Sequence, residues 1–234
     1  MKNNKKIKGR LIVIDGTDGS GKATQVSLLE GVLKKAGHKV KLVDFPEYYK
    51  NFFGKFIGHC LSEQYYNFIN VHPKIASVLY AADRFESSGE INSYLEKGYI
   101  VLANRYVSAN QIHQGGKIKS AKKRAEFISW LDEMEYKVFK IPKPDIVLYL
   151  SVPLETSLKM IKERNKTSTR NYVGNKKDVH EVDVDFQKNS RASALWLSKT
   201  IPNFIKIDCA DKKGILSREI IHEKVLLEVK KVLK

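Results

Sequence analysis

The chain predicts an α/β fold: a five-stranded parallel sheet with helices on both faces. Three observations carry that prediction. Apolar runs of strand length alternate with helical periodicity along the whole chain. The first run, Leu11-Ile12-Val13-Ile14, leads into Gly16-Thr17-Asp18-Gly19-Ser20-Gly21-Lys22, and a helix opens directly behind it. At 234 residues and 42% hydrophobic content, the chain can bury one full α/β core.

The strands are expected at 10–15, 39–44, 99–103, 145–151 and 203–208. The first helical stretch carries Val26, Leu29, Leu33 and Ala36 and stops at Gly37. The next, 73–95, has Ile75, Val78, Leu79 and Ala82 as its core stripe. Residues 120–139 carry Ile128, Leu131 and Val138, and further helices are expected at 154–161, 186–196 and 215–233. Two segments fit no core element. One, 46–71, is rich in aromatics with few clear periods. The other, 164–185, is polar and charged. It reads either as a solvated loop or, in a phosphoryl-transfer enzyme, as a lid that excludes water and delivers cations. No internal repeat or linker interrupts the chain, so residues 1–234 are expected to form one domain.

The glycine turn carries the chemistry. Between a strand and a helix, its glycines let backbone N–H groups converge on a polyphosphate. The helix N-terminus adds partial positive charge and Lys22 a full one. Gly16, Asp18, Gly19, Ser20, Gly21, Lys22, Ala23 and Thr24 are therefore expected to hold a nucleoside triphosphate. Ala23 stands where a Ser or Thr hydroxyl usually touches Mg2+. Phosphates, waters and a carboxylate must then hold the metal.

Composition narrows the rest. Cys60 and Cys209 are far apart and fit no metal spacing, and neither is expected in a structural disulfide. No apolar run approaches the ~20 residues of a membrane helix. The start, Met-Lys-Asn-Asn-Lys-Lys, has no apolar signal region behind it, so a cytoplasmic protein without a membrane partner is expected. The net charge of +16 either attracts polyanions or reflects a lysine-biased composition. The lysines are scattered and no nucleic-acid motif is present, so no specific nucleic-acid partner is expected.

Further constellations follow the strands. Phe45-Pro46-Glu47-Tyr48 ends the second. Tyr80 and Arg84, four apart on a helix, share a face. That face suits stacking and hydrogen bonding to a planar base; equally, Arg84 suits a surface ion pair with Asp83 or Glu86. Asn104-Arg105-Tyr106 follows the third strand on the ligand side of the sheet, where an arginine can clamp a phosphate. Asn110, His113 and Gln114 follow, with His113 as a polar wall residue. Asn175-Lys176-Lys177-Asp178 has the letters of a guanine-reading motif but follows no apolar strand, so that reading is rejected.

Taken in order, the phosphate loop with Asp18, Phe45-Pro46, Ala82-Asp83-Arg84, Asn104-Arg105-Tyr106, Pro142-Lys143-Pro144-Asp145 and Asp178-Val179-His180-Glu181 resemble the thymidylate kinase (dTMP kinase) family of P-loop nucleoside monophosphate kinases. The resemblance runs from about Gly9 to the C-terminus. It implies a core loop at 16–24, a monophosphate-binding region at about 45–85 and a lid at about 164–182. It also implies transfer of the ATP γ-phosphoryl to dTMP with Mg2+, giving dTDP and ADP, by a homodimer. Lys22 would hold the ATP phosphates, Asp18 the deoxyribose 3′-hydroxyl and Arg105 the dTMP phosphate. Tyr80 would stack on thymine, Arg84 read its carbonyl and Asn110 touch the base edge. Phe45 and Pro46 would border the 5-methyl group, and Tyr48 would lie near the acceptor phosphate. Some members carry an arginine where this chain has Gly19, so the compensating cation should come from the lid: Arg164 or Arg170, with Lys166, Lys176 and Lys177 behind them. Asn104 stands where the family usually has aspartate. With Ala23, that shifts the expected Mg2+ contact to Asp15 or Asp18, Asp15 preferred. The alternative is another nucleoside monophosphate or deoxynucleoside kinase on the same scaffold, or a weakly active nucleotide-binding homologue.

Overall fold

A computed structural model of the chain describes residues 8–62, 68–167, 181 and 183–234. Five parallel strands form the sheet in the order β2-β3-β1-β4-β5: β1 (Arg10–Asp15), β2 (Val40–Asp44), β3 (Ile100–Asn104), β4 (Ile146–Ser151) and β5 (Phe204–Asp208). Each lies within a residue of its expected place. Their near-continuous apolar character is what a sheet covered on both faces requires. Successive side chains alternate between the faces. Leu11, Val13, Val101, Ala103, Val147 and Phe204 enter one core with Phe127, Leu131, Ala194 and Leu197. Ile12, Ile14, Leu102, Leu148 and Ile207 enter the other with Leu29, Leu33, Val225 and Val229.

The covering helices are α1 (Lys22–Lys35), α2 (Phe52–Leu61), α3 (Pro73–Glu96), α4 (Val107–Gly116), α5 (Ala121–Asp132), α6 (Leu154–Thr167), α7 (Val184–Thr200) and α8 (Arg218–Leu233). The chain leaves β1 toward β2 on one side and leaves β3 toward β4 on the other. The switch between β1 and β3 opens a crevice beyond their carboxyl ends.

Several expectations are corrected. The segment after Pro46 is not coreless: α2 buries Ile57, Cys60 and Leu61 against Phe68 and Ala76. α4 was not expected as a helix, because the buried residues of Val107–Gly116 are largely polar and lack an apolar stripe. The stripe expected on α3 is only partly in the core: Leu79 packs on the α2 cluster and Ala82 is half-buried. Ile75 and Val78 are exposed, while Ala76, Ser77, Ala81, Asp83, Arg84 and Ser87 are buried, because polar partners as well as an apolar cluster lie beneath the helix. The stretch to 139 breaks after α5 into a π-helical turn, Glu133–Val138, which leaves Val138 exposed. The last helix starts later than expected. Ile215 belongs to a small hairpin, Ala210–Asp211 with Gly214–Ile215, and the Ser217 side chain caps Ile220 N–H.

The Pro-Lys-Pro-Asp motif acts as a clasp. Asp145 accepts from Arg10 Nη1 at 3.0 Å and from Leu11 N–H at 2.8 Å, tying the start of β4 to β1. Tyr106 Oη donates to Pro142 O at 3.0 Å.

The central strands carry the stability. Leu148→Ala, at a site with no exposure, should cost about 2–5 kcal/mol in denaturant unfolding. Leu227→Ala, on the exposed face of α8, should stay within about 0.5 kcal/mol of the parent.

Candidate active site

The loop after β1 is built for close approach. Gly19 and Gly21 adopt φ of 74° and 82°, the left-handed region that favours glycine. A Cβ at Gly19 would lie 2.5 Å from Ser157 O. Lys22 Nζ donates to Gly16 O at 2.8 Å and Thr17 O at 2.9 Å, folding the ammonium back over the loop.

Arg105, directly after β3, has φ of 65°, strained for a side chain with a Cβ. The turn aims its guanidinium at Asp18, with which it forms an ion pair. Burial works against its charge, but Asp18, with Asp15 and Asp44 behind it, holds the arginine firmly protonated. Asp18 also accepts from Gln187 Nε2 at 3.2 Å, which joins α7 to the site.

Two adjoining pockets share Asp18, Phe45, Tyr48 and Arg105. The polar one runs over Gly19, Ser20, Gly21, Lys22, Ala23 and Thr24 to Asp44, Asn104 and Arg164. The other is lined by Pro46, Tyr80, Arg84, Asn110 and His113. The expected phosphate and substrate residues thus converge from five separate stretches of sequence. Gly16 lies beneath the loop, where a Cβ would meet Ser20 Oγ at 2.3 Å.

Other expected residues are placed differently. Asp15, the preferred metal contact, is fully buried and lines neither pocket. Its carboxylate accepts from Ser108 Oγ at 2.5 Å and Gly16 N–H at 2.8 Å. Burial raises its pKa, with Lys22 and Ser108 opposing. Arg84 is not on an open helix surface, and its partner is neither Asp83 nor Glu86. It lies buried in a bidentate pair with Glu135, Nε at 2.7 Å, and Nη1 reaches Tyr106 O at 3.3 Å. Burial disfavours its charge, and Glu135 outweighs that. Asn110 donates to Ser77 O at 3.2 Å and to Glu135 at 3.4 Å. His113 stacks on Phe186 with centroids 5.7 Å apart, its Nδ1 3.1 Å from Ser190 Oγ. Tyr80 leans on Phe68 at 6.0 Å. Arg164 pairs with Glu181 and borders the polar pocket. Arg170, Lys176, Lys177 and the Asn175–Asp178 stretch lie outside the described residues.

Sequence reasoning missed Glu135, Gln187 and Asp44. Asp44 had a signal, since it ends a strand on the ligand side. Glu135 had none, being one acid in a mixed helical stretch. It also missed the anchor of the 46–51 segment. Asp83 accepts from Glu47 N–H at 3.2 Å and Asn51 Nδ2 at 3.3 Å, and Ser87 Oγ donates to Glu47 at 2.8 Å. This network holds Phe45, Pro46 and Tyr48 over the pockets.

Burial pushes the Asp83 carboxyl up to about 6, against the pull of Arg84. A raised carboxyl favours the folded state below its unfolded value of 3.8, and that advantage is lost as pH rises through about 6. Thermal melts of wild type and Asp83→Asn across pH 4–7 should therefore diverge. Wild type loses stability relative to the amide as pH rises, on the order of 3 kcal/mol at most. The difference between the two proteins isolates Asp83, because Asp15 and Asp132 are also raised. Parallel curves would overturn the assignment.

A family model described as thymidylate kinase matches residues 14–220. A thymidylate kinase of Thermosipho melanesiensis is 30% identical over 198 residues, 84% of this chain and 88% of that protein. One of Mycobacterium tuberculosis is 29% identical over 185 residues, 78% of this chain and 82% of that protein. A solved thymidylate kinase of Candida albicans superposes with a TM-score of 0.71 at 23% identity, covering 97% of this chain and 94% of the other. That likeness supports the five-stranded fold, and the family match spans both halves of the site: the chain belongs to the thymidylate kinase family.

Proposed function

We propose that the protein transfers the γ-phosphoryl group of ATP to dTMP, giving dTDP and ADP. The observation that carries this reading is the pair of adjoining pockets meeting at Asp18 and Arg105. The polar pocket suits the triphosphate, and the aromatic one suits a pyrimidine. Lys22 meets the donor phosphates, and Arg105 the acceptor phosphate. Tyr80 stacks on the base, and Arg84, held rigid by Glu135, offers N–H groups to a base carbonyl. Asn110 borders the base edge, and Phe45, Pro46 and Tyr48 close the side. Arg164 supplies a cation from α6.

The acceptor phosphate is already ionised, so no strong base is needed. Catalysis consists of in-line positioning and neutralisation of negative charge that spreads in the transition state. Mg2+ fits this site. Among the described residues no group of three or more acidic, His or Cys side chains forms a cage. Mg2+ at such sites typically uses one or two carboxylates with substrate phosphates and waters. Asp18, Asp44 and Asn104 line the pocket to supply the protein's share. When bound, Mg2+ polarises the transferred phosphoryl group.

We also assign a homodimer. Ile75, Val78 and Phe85 form an exposed apolar stripe along α3, at 61%, 41% and 51% exposure. Exposed apolar stripes mark interfaces, and a second copy is the occupant that the family resemblance implies. Among the described residues no helix is long and apolar enough to cross a membrane.

A coupled assay for ADP with dTMP, dUMP, UMP, CMP, GMP and AMP tests the reaction, and dTMP should give the highest kcat/KM. Arg105→Ala should lower turnover by roughly 10^3 with an unchanged circular dichroism spectrum; near-normal turnover would refute its role. Light scattering should show a dimer that Val78→Asp converts to monomer. A monomeric wild type at working concentration would overturn the assembly.

A further inference from the structure

Glu135 has no exposure, and it bonds to two residues that line the aromatic pocket, Arg84 and Asn110. The π-helical turn Glu133–Val138 brings it there, while Glu133 and Val138 of the same turn stay outside. Such turns are uncommon and recur at functional sites. A buried ion pair is a poor way to fill a core, because apolar residues of similar volume hold a fold at least as well. The pair calls for a role beyond packing.

One oxygen joins the two pocket residues. Glu135 Oε1 accepts from Arg84 Nη2 and, at 3.4 Å, from Asn110 Nδ2, while Oε2 accepts from Arg84 Nε at 2.7 Å. Arg84 and Asn110 therefore stand side by side. Their hydrogen-bonding character differs. A guanidinium only donates. The Asn110 amide could present either end, but its orientation is set from behind. Ser77 O, at 3.2 Å, and the Glu135 carboxylate both only accept, so both require the amide nitrogen. The amide oxygen turns away from them and is the end left for a ligand. The wall thus offers a donor beside an acceptor.

A pyrimidine carries its own pair of neighbours at ring positions 3 and 4. In thymine and uracil these are an N–H and a carbonyl oxygen, which complement an acceptor beside a donor. In cytosine they are a bare nitrogen and an amino group, so acceptor meets acceptor and donor meets donor. Buried polar groups left unpaired reject such a ligand strongly. Reversing Asn110 to suit cytosine would set its oxygen against Glu135 and Ser77 O. We propose that Glu135 is a specificity-determining residue: it fixes the polarity of this wall, so that the pocket chooses a 4-keto pyrimidine over a 4-amino one. The inference rests on the reading of this pocket as the thymidylate site.

Two nucleotides that differ only at those ring positions test it, dTMP and 5-methyl-dCMP. The readout is the ratio of their kcat/KM values in the coupled ADP assay. Wild type should favour dTMP by roughly 10^4. Glu135→Gln keeps the side-chain shape but can donate toward Asn110 and holds Arg84 less firmly. It should lower the ratio at least about tenfold, through a higher KM for dTMP with kcat little changed, while 5-methyl-dCMP holds or gains. An unchanged ratio overturns the proposal. So does an equal loss for both nucleotides, which would assign Glu135 to packing alone. If circular dichroism shows Glu135→Gln unfolded, Arg84→Met combined with Glu135→Leu replaces the ion pair by apolar side chains. That double variant should bring the two nucleotides within about tenfold of each other, and a wild-type ratio in it overturns the proposal. A wild type that uses both nucleotides equally also overturns it and leaves phosphoryl transfer to dTMP standing. A wild type that phosphorylates neither overturns both readings.

Discussion

The site depends on a register. β1, β3 and β2 are parallel and aligned so that Ile14 lies opposite Asn104, and Asn104 opposite Asp44. Three strands therefore stop at one level, and three different continuations start there side by side. The ladder extends one step past each end: Arg105 N–H donates to Ile14 O at 3.0 Å, and Phe45 N–H to Asn104 O at 3.0 Å. Those two bonds hold the backbone at Arg105 in a conformation that costs about 1–3 kcal/mol elsewhere. The strain turns the guanidinium across the crevice to Asp18. A slip of one residue in any strand would send its terminal side chain to the other face. Phosphate loop, arginine and acidic edge would no longer meet.

Behind the aromatic pocket the structure makes a different choice. Arg84 and Glu135 are both buried, and a buried ion pair is weak evidence of stability, because desolvation offsets the attraction. What the pair provides is orientation. A bidentate carboxylate fixes the plane of the guanidinium, and Arg84 lines the pocket in that fixed plane. Asn110 touches the same carboxylate. Arg84, Asn110 and Glu135 are thus tied together in one network at the pocket wall. A rearrangement at binding would blunt discrimination between bases, since hydrogen-bond selectivity rests on leaving a mismatched group unpaired.

The sheet was legible because its strands are buried on both faces and read as continuous apolar runs. The phosphate loop was legible because glycines, lysine and context coincide. Most of the pocket lining was legible only through the ordered set of short motifs. What sequence could not show was polar burial. Periodicity assigns the apolar side of a helix to the core, and on α3 that rule holds for Leu79 but fails for two of the four expected residues. Ile75 and Val78 face outward, while Asp83, Arg84 and Ser87 go in to meet Glu47, Asn51 and Glu135. Their partners lie 32 to 51 positions away in the chain, so no local pattern reports them. α4 was missed for the same reason. Its buried residues include Ser108, Asn110, Gln111, His113 and Gln114, which pack against α7 partly through close backbone approach at Gly116.

The cations of the site are all held within the protein. Lys22 rests on two loop carbonyls, Arg105 on Asp18 and Arg164 on Glu181. That arrangement keeps three positive charges from repelling one another across one crevice, in a chain already at +16. It also sets what a ligand must do. A phosphate that takes these cations exchanges one anionic or carbonyl partner for another, so the net gain per contact is smaller than the bare attraction. The exchange must therefore also accommodate the Asp18 and Glu181 carboxylates, which now hold Arg105 and Arg164.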